Sequence, residues 1–313
     1  MIEFSRRRFL GNTLGSAALA SLSPFVADSA FARTRAEIVA SPLTDALTLI
    51  SGAGANVIAA RGPEGILLVD GGLEEHSADL IKLTLKELSA KTSARRIHTL
   101  FNTHWHPAQT GSNLRLGKSG TNIIAHEKTK LWLSRKIEVS WRDTSYGPLP
   151  EKARPSQTIY TSAKLNFGDE QIEYGYLPQA HTDGDIYVFF RKANVLVAGD
   201  AVTSDRWPLI DWQTGGWLGG MAGGFTKLID VTNAETRVVP ANGPMLTRAD
   251  LEQQRSMYRT IYERLVKSLT SGLGPEEAVA AAPTREFNPQ WGDPTPFVTM
   301  AFKSLWGHFA PDA

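Results

Sequence analysis

Phe101-Asn-Thr-His104-Trp-His106-Pro-Ala108-Gln109-Thr-Gly-Ser-Asn113 is the stretch from which the rest of the chain is read. It follows an apolar run, Ile97 to Phe101, that reads as a strand. In an extended segment residues two apart point the same way, so the imidazoles of His104 and His106 can face one point. Two converging neutral imidazoles are a common beginning of a zinc or iron site. A lone His-x-His pair is weak evidence, because histidines often fall near each other on wet surfaces. Two later segments strengthen it: Ala180-His181-Thr-Asp-Gly-Asp185 and Val197-Ala-Gly-Asp200. By alternation, Trp105 points away from the two imidazoles, as a core plug.

Working outward, the strand before this loop is preceded by Asn56 to Ala60 and Ile66 to Asp70, two β-rich runs joined by the turn sequence Arg61-Gly-Pro-Glu-Gly65. Asp70 ends the second run, where it can cap the helix that follows. Residues 33–45 read as a linker or first edge segment. Residues 76–90 carry apolar side chains at Leu80, Ile81, Leu83 (or Thr84) and Leu88, a helical spacing. Asn122 to His126 reads as another strand, and Glu127 to about Val139 as a helix with Leu131 and Trp132 inward. From about 140 to 160 periodicity lapses among Trp141, Tyr146 and several prolines, the pattern of a loop folded over something. Strand signals return at 159–161, 171–176, 186–190 and 195–198, the last two forming a hairpin about the turn 191–194. Residues 204–224 hold Trp207, Trp212, Trp217 and six glycines, and read as a flexible aromatic stretch whose tryptophans pack rather than bind. A short strand at 237–240 leads to a capping box, Thr247-x-x-Asp250, and C-terminal helices follow over about 247–313.

Composition narrows the function. The chain has 313 residues and is 42% hydrophobic, enough for a sizeable core. Its formal charge is +1, and Arg6, Arg7 and Arg8 against Glu3 and Asp28 account for that excess. The remainder is neutral without a basic run, which gives no footprint for nucleic acid. The absence of cysteine removes thiolate metal sites, cysteine nucleophiles and disulfides. Ser5-Arg-Arg-Arg-Phe-Leu10, a mildly apolar stretch to about Val26 and Ala30-Phe-Ala32 make a charged, apolar and small-residue series. That series reads as a twin-arginine signal over 1–32, with residues 33–313 as the exported domain. Its middle is too polar to span a membrane stably, so the membrane enters only as a transient export partner. The expected location is the periplasm or the exterior.

Together the three segments 101–113, 180–185 and 197–200 resemble the metallo-β-lactamase fold superfamily, whose first motif is His-x-His-x-Asp-His. The resemblance covers roughly residues 50–250 and implies an αββα four-layer sandwich with metals at one edge between the sheets. It implies a first metal position made by His104, His106, His181 and Asp200. The second position of the family is depleted here: its Asp, His and last His read Ala108, Gln109 and Asn242. Ala has no lone pair to give, and amide oxygens are weak ligands for zinc. One zinc ion is therefore expected, with iron as the alternative. The implied chemistry is hydrolysis of an ester, lactone, amide or similar bond in a small-molecule substrate, through hydroxide generated at the metal. Asp200 would orient that hydroxide, and Gln109 and Asn242 would offer amides to a substrate oxyanion or to ordered water. Two other readings stand beside it. One is a mononuclear iron oxygenase of the persulfide dioxygenase type, drawing on His106, His181 and Asp200; the other is a non-catalytic binding member. His76, His98, His126 and His308 match no motif position and are assigned ordinary structural roles.

Overall fold

The computed structural model describes residues 37–88, 95–139, 144–204 and 206–309. The export signal expected over 1–32 and the loop residue Trp141 lie outside the described residues. The compact unit that begins at Ala36 carries two large sheets.

The first sheet has seven strands in the order β1-β2-β3-β4-β5-β6-β9. These are β1 (Val39–Pro42), β2 (Leu47–Ser51), β3 (Val57–Gly62), β4 (Gly65–Val69), β5 (Ile97–Phe101), β6 (Asn122–His126) and β9 (Gln157–Ile159). A separate hairpin, β7 (Ile137–Val139) with β8 (Thr144–Tyr146), sits in the chain between the last two. The second sheet runs β10 (Ser162–Phe167), β11 (Glu170–Tyr176), β12 (Ile186–Phe190), β13 (Val195–Val197) and β14 (Arg237–Val239) in sequence order. The longer helices are α1 (Ser77–Leu88), α5 (Leu218–Val231), α6 (Arg248–Thr270) and α9 (Thr295–Phe309). Shorter ones are α2 (Pro107–Thr110), α3 (Asn113–Lys118), α4 (Glu127–Leu133), α7 (Pro275–Ala280) and α8 (Asn288–Trp291).

Every second residue of a strand faces the same way, and here both faces are covered. In β4, Leu67 and Val69 join Phe101, Ile172, Val188 and Phe190 in a core between the two sheets. Their neighbours Ile66 and Leu68 face the other way, onto Leu80 and Leu88 of α1 and Leu116 of α3. In β12 and β13, Tyr187, Phe189 and Leu196 turn outward onto α5, α6 and α9. Two sheets back to back with helices on both outer faces make the αββα sandwich. Burial on both faces is why these strands read as unbroken apolar runs; each large side chain so buried contributes about 1.5–3 kcal/mol.

Several local readings change. The helix after His126 stops at Leu133, and Ile137 to Val139 forms a strand paired with Thr144 to Tyr146. In α4 the buried residues are Thr129 and Leu133; Leu131 is exposed and Trp132 half-buried. The helical spacing there runs into a β-branched pair that prefers a strand. In α1 the buried row is Ser77, Leu80, Thr84 and Leu88, and Thr84 hides its hydroxyl by donating to the Leu80 carbonyl at 2.8 Å. The glycine-rich stretch is half helix: α5 starts at Leu218. A Cβ at Gly220 would overlap the carbonyl of Gln179, so that glycine permits contact of backbone with backbone. Strand β10 carried no strand signal; its alternating Ser162, Lys164 and Asn166 lie on an exposed face.

α6 opens with the expected capping box, the Thr247 side chain and backbone both paired with Asp250. Trp105 is fully buried against Leu133 and Ile137, as a plug. Among the described residues no helix is long and apolar enough to cross a membrane.

Candidate metal centre

β5 runs parallel to β4 and β6, and the loop after its end carries His104 and His106. β11 and β13 run the same way in the second sheet, each antiparallel to β12 between them. Their ends deliver His181 and Asp200 to one edge. The two sheets are laced together there by backbone bonds, Ile186 N–H to Thr103 O at 2.8 Å and Asn56 N–H to Ala241 O at 2.7 Å.

Asp70, at the end of β4, supports the histidine loop from behind. Its carboxylate accepts Thr103 N–H at 2.8 Å and the Thr103 hydroxyl at 2.9 and 3.0 Å. It does so from a left-handed backbone, φ 67°, a conformation that costs a non-glycine residue energy and persists where its surroundings fix it. Burial pushes its carboxyl well up, Thr103's hydrogen bonds pull it down, and the nearby Asp200 charge adds to the rise.

Four donor atoms, one each from His104, His106, His181 and Asp200, lie within 4.8 Å of one another. The three imidazole centroids form a nearly equilateral triangle with sides of 4.6, 4.7 and 4.6 Å. The rings stand at 73°, 84° and 85° to one another, as three faces meet at a corner. His181 Nε2 and His106 Nδ1 are 3.1 Å apart, and His104 Nε2 is 3.2 Å from Asp200 Oδ2. Two nitrogens bound to a tetrahedral zinc at 2.0–2.1 Å would stand about 3.3–3.4 Å apart, so the spacing fits.

The protons fit as well. His181 Nδ1 is 2.7 Å from the Leu209 carbonyl, which can only accept. His106 Nε2 is 3.2 Å from the Asp211 carboxylate. His104 Nδ1 is 3.1 Å from the Thr103 hydroxyl, whose own proton is turned to Asp70. With an ion bound, each outward nitrogen would hold its ring proton against these acceptors and each inward nitrogen would turn a lone pair to the centre. His181 Nε2 and His106 Nδ1, facing each other at 3.1 Å, are spaced as two ligand atoms of one ion would be. His104 Nε2 is buried with no hydrogen-bond partner, an atom left over for the same centre. Metal-bound histidines generally hold their other N–H on such acceptors.

Asp200 is the member that meets solvent, at 22% side-chain exposure against 1% for His104. Burial would raise its carboxyl, but the His104 contact and the three imidazoles outweigh this and hold it far below the usual carboxylate range. Gln109 is fully buried and donates from Nε2 to Asp200 Oδ2 at 3.2 Å, while its Oε1 has no partner. Asn242 lies in the loop after β14 and is half-buried; its backbone carbonyl accepts the Ser204 hydroxyl at 2.9 Å.

Sequence reasoning missed Asp211 and Asp185. Asp185 closes the turn that carries His181, accepting His181 N–H at 2.5 Å and Thr182 N–H at 2.8 Å; burial pushes its carboxyl up to about 6 against the lowering His181 charge and these bonds. Burial also raises Asp211, against the lowering hydrogen bond from Thr214. The signal available for Asp185 was its place in the 180–185 segment. Asp211 had none, because it sits in a loop distant in sequence from every histidine.

Fold and donor set together define an αββα protein with a histidine and aspartate cluster that could hold a metal ion. The chain belongs to the metallo-beta-lactamase superfamily, whose family model matches residues 51–239. Solved structures of similar fold include a metallo-beta-lactamase from Pontibacter korlensis, at 17% identity and a TM-score of 0.57 over 71% of this chain and 99% of that one. Two others are the DIM-1 metallo-beta-lactamase (16% identity, TM-score 0.57, 72% and 98% covered) and IND-7 (18%, 0.57, 71% and 98%). At such identities the likeness is one of fold. No curated protein matches the chain in sequence.

Proposed function

We propose that this protein is an exported, mononuclear metal-dependent hydrolase acting on an ester, lactone, amide or similar carbonyl of a small molecule. The observation that carries this reading is the donor arrangement: three imidazoles, each with one nitrogen against an outward partner and the other turned to a common point, and one carboxylate at the open side. His104, His106 and His181 would hold the ion, with Asp200 beside it. When bound, a zinc-type ion supplies Lewis acidity and acidifies a water in its open coordination position.

The chain's own residues do the rest. Asp200, whose carboxyl burial would raise but its imidazole neighbours hold low, would serve as an acceptor that orients water rather than as a strong base. Gln109 and His104 both face its Oδ2, which leaves Oδ1 for that task. Gln109, fully buried, steadies Asp200 in place of a second ion. Asn242, half-buried in a loop whose Ala241 N–H donates to the Gly199 carbonyl beside Asp200, would offer its amide to substrate. Ala108 supplies no donor, so one ion per chain is the expected load. Residues 1–32 would direct the folded, loaded protein through the twin-arginine route.

The test is elemental analysis of the purified exported protein with an ester, lactone and β-lactam screen, run beside His181→Ala. One zinc per chain and hydrolysis lost in the variant support the reading. One iron per chain would favour oxygen chemistry, two ions would refute the mononuclear claim, and hydrolysis unchanged in the variant would sink the hydrolase. Export is tested by fusing residues 1–32 to a reporter that folds before transport: Arg6→Lys with Arg7→Lys should retain it in the cytoplasm.

A further inference from the structure

A cavity of about 160 Å³ lies where α6 and α8 meet Ser204 and Leu246. None of the four donors of the metal centre lines it. Its volume is close to the roughly 150 Å³ of an engineered apolar cavity that takes benzene. Met257 and Trp291 are buried in its wall, Leu246 and Phe287 are half-buried, and Gln253 and Gln290 are exposed. The Trp291 ring is already fixed. It packs on Trp207 with centroids 5.6 Å apart, and Trp207 stacks on Phe297 at 4.7 Å and donates its indole N–H to the Gly292 carbonyl at 3.1 Å. A wall held in this way loses little freedom when a flat ring settles against it. The Met257 thioether favours the same partner, because sulfur is attracted to aromatic ring edges.

The polar atoms choose the chemistry of the ligand. Gln254 lines the cavity from α6 and is 5% exposed. Its Nε2 donates to the Thr203 carbonyl at 2.9 Å, which fixes the amide, and its Oε1 is buried with no hydrogen-bond partner. A buried acceptor left unmade is costly, so each one in a folded protein calls for a partner. Asp250 adds a carboxylate, whose Oδ2 accepts the Thr247 N–H and hydroxyl. Among the described residues that line the cavity there is no Lys, Arg or His. An anion finds nothing there to pair with, whereas an N–H or O–H group does.

We propose that this cavity is a small-molecule site separate from the metal centre. It takes a single flat apolar ring carrying a neutral O–H or N–H donor, the ring against Met257 and Trp291 and the donor on Gln254 Oε1. An occupant there also bears, through the Gln254 amide, on Thr203, three residues beyond Asp200.

Phenol and toluene are the probes, alike in size and differing in one donor. Their affinities are measured by ligand-observed NMR titration of the wild type, Gln254→Leu and Met257→Trp. Phenol should bind the wild type about 2–10-fold more tightly than toluene, the ratio expected of one hydrogen bond. Gln254→Leu should bring the two probes level, and Met257→Trp, by filling the cavity, should abolish the binding of both. A crystal structure with phenol should place its oxygen within hydrogen-bond distance of Gln254 Oε1. Should either variant fold poorly, the other variant and the wild-type complex carry the test. Equal affinity of the wild type for the two probes overturns the proposal. So does phenol binding untouched by Met257→Trp, or a crystal structure in which only ordered water meets Gln254 Oε1. Neither variant alters the four donors, so the result stands apart from the metal reading.

Discussion

Strands β5 and β6 lie side by side in the first sheet, and both run out towards histidines with different outcomes. At the end of β6, His126 caps α4: Nδ1 accepts Lys128 N–H at 3.2 Å, Nε2 faces the Tyr160 carbonyl at 3.3 Å, and the ring stacks on Tyr176 at 4.1 Å. Both nitrogens are used by local partners, one as acceptor and one as donor. Beyond the end of β5, His104 and His106 set their outward nitrogens against Thr103 and Asp211 and turn the inward ones towards Asp200 and His181. Residue type and position in the sheet are alike. Which nitrogen is left with a lone pair separates a ligand from a cap, and the neighbours decide it.

The sharpest break is His181→Ala. Removing one of three imidazoles should lower zinc affinity roughly a hundredfold or more, a share of the 10–16 kcal/mol that full zinc sites supply. Metal per chain after dialysis against a chelator is the measurement. Next comes Asp70→Ala, which orphans the buried N–H and hydroxyl of Thr103 and should cost about 2–4 kcal/mol. Urea unfolding of the zinc-free protein reads it, and a change under 1 kcal/mol (about one weak hydrogen bond) would show that the histidine loop is supported elsewhere.

A milder change, Gln109→Leu, removes one charge-assisted bond to Asp200 together with an unpartnered oxygen. Stability should scarcely move, while zinc affinity falls by about 3–10-fold, below the full effect of losing an outer partner. A larger loss would mean that Gln109 itself ligates.

The smallest effect belongs to His126, whose pKa burial lowers, against the opposing Tyr160 bond. Its unfolded form takes up a proton near 6.5 while the folded form resists, so stability is full above that value and declines as pH falls towards the folded pKa. His126→Asn should flatten this part of the pH–stability curve and leave zinc binding alone. A change in zinc affinity would erase the distinction between cap and ligand.

The central strands were legible because strands buried on both faces must be apolar at every position, as in Ile66 to Val69 and Ile186 to Phe190, while their stacking in four layers came only with the family resemblance. The donor cluster was legible because its members carry family spacing. What escaped depends on contacts between distant segments. Asp211 meets His106 across 105 residues, and nothing in the spacing of Trp207 to Gly224 announces it. Strand β10 escaped because its polar edge face looks like a loop. Glycines placed for close approach are indistinguishable in sequence from glycines placed for mobility, and so α5 read as flexible.

Those glycines also decide how motion would travel. A Cβ at Gly216 would overlap the His181 carbonyl, and one at Gly220 that of Gln179, so the start of α5 rests on the histidine loop without a side chain between them. Side chains can change rotamer and absorb a displacement; two abutting backbones cannot. The helix and His181 therefore behave as one stiff strut. A push on α5 from the C-terminal helices packed against it would meet the backbone of the histidine loop directly, with no side chain between to take it up.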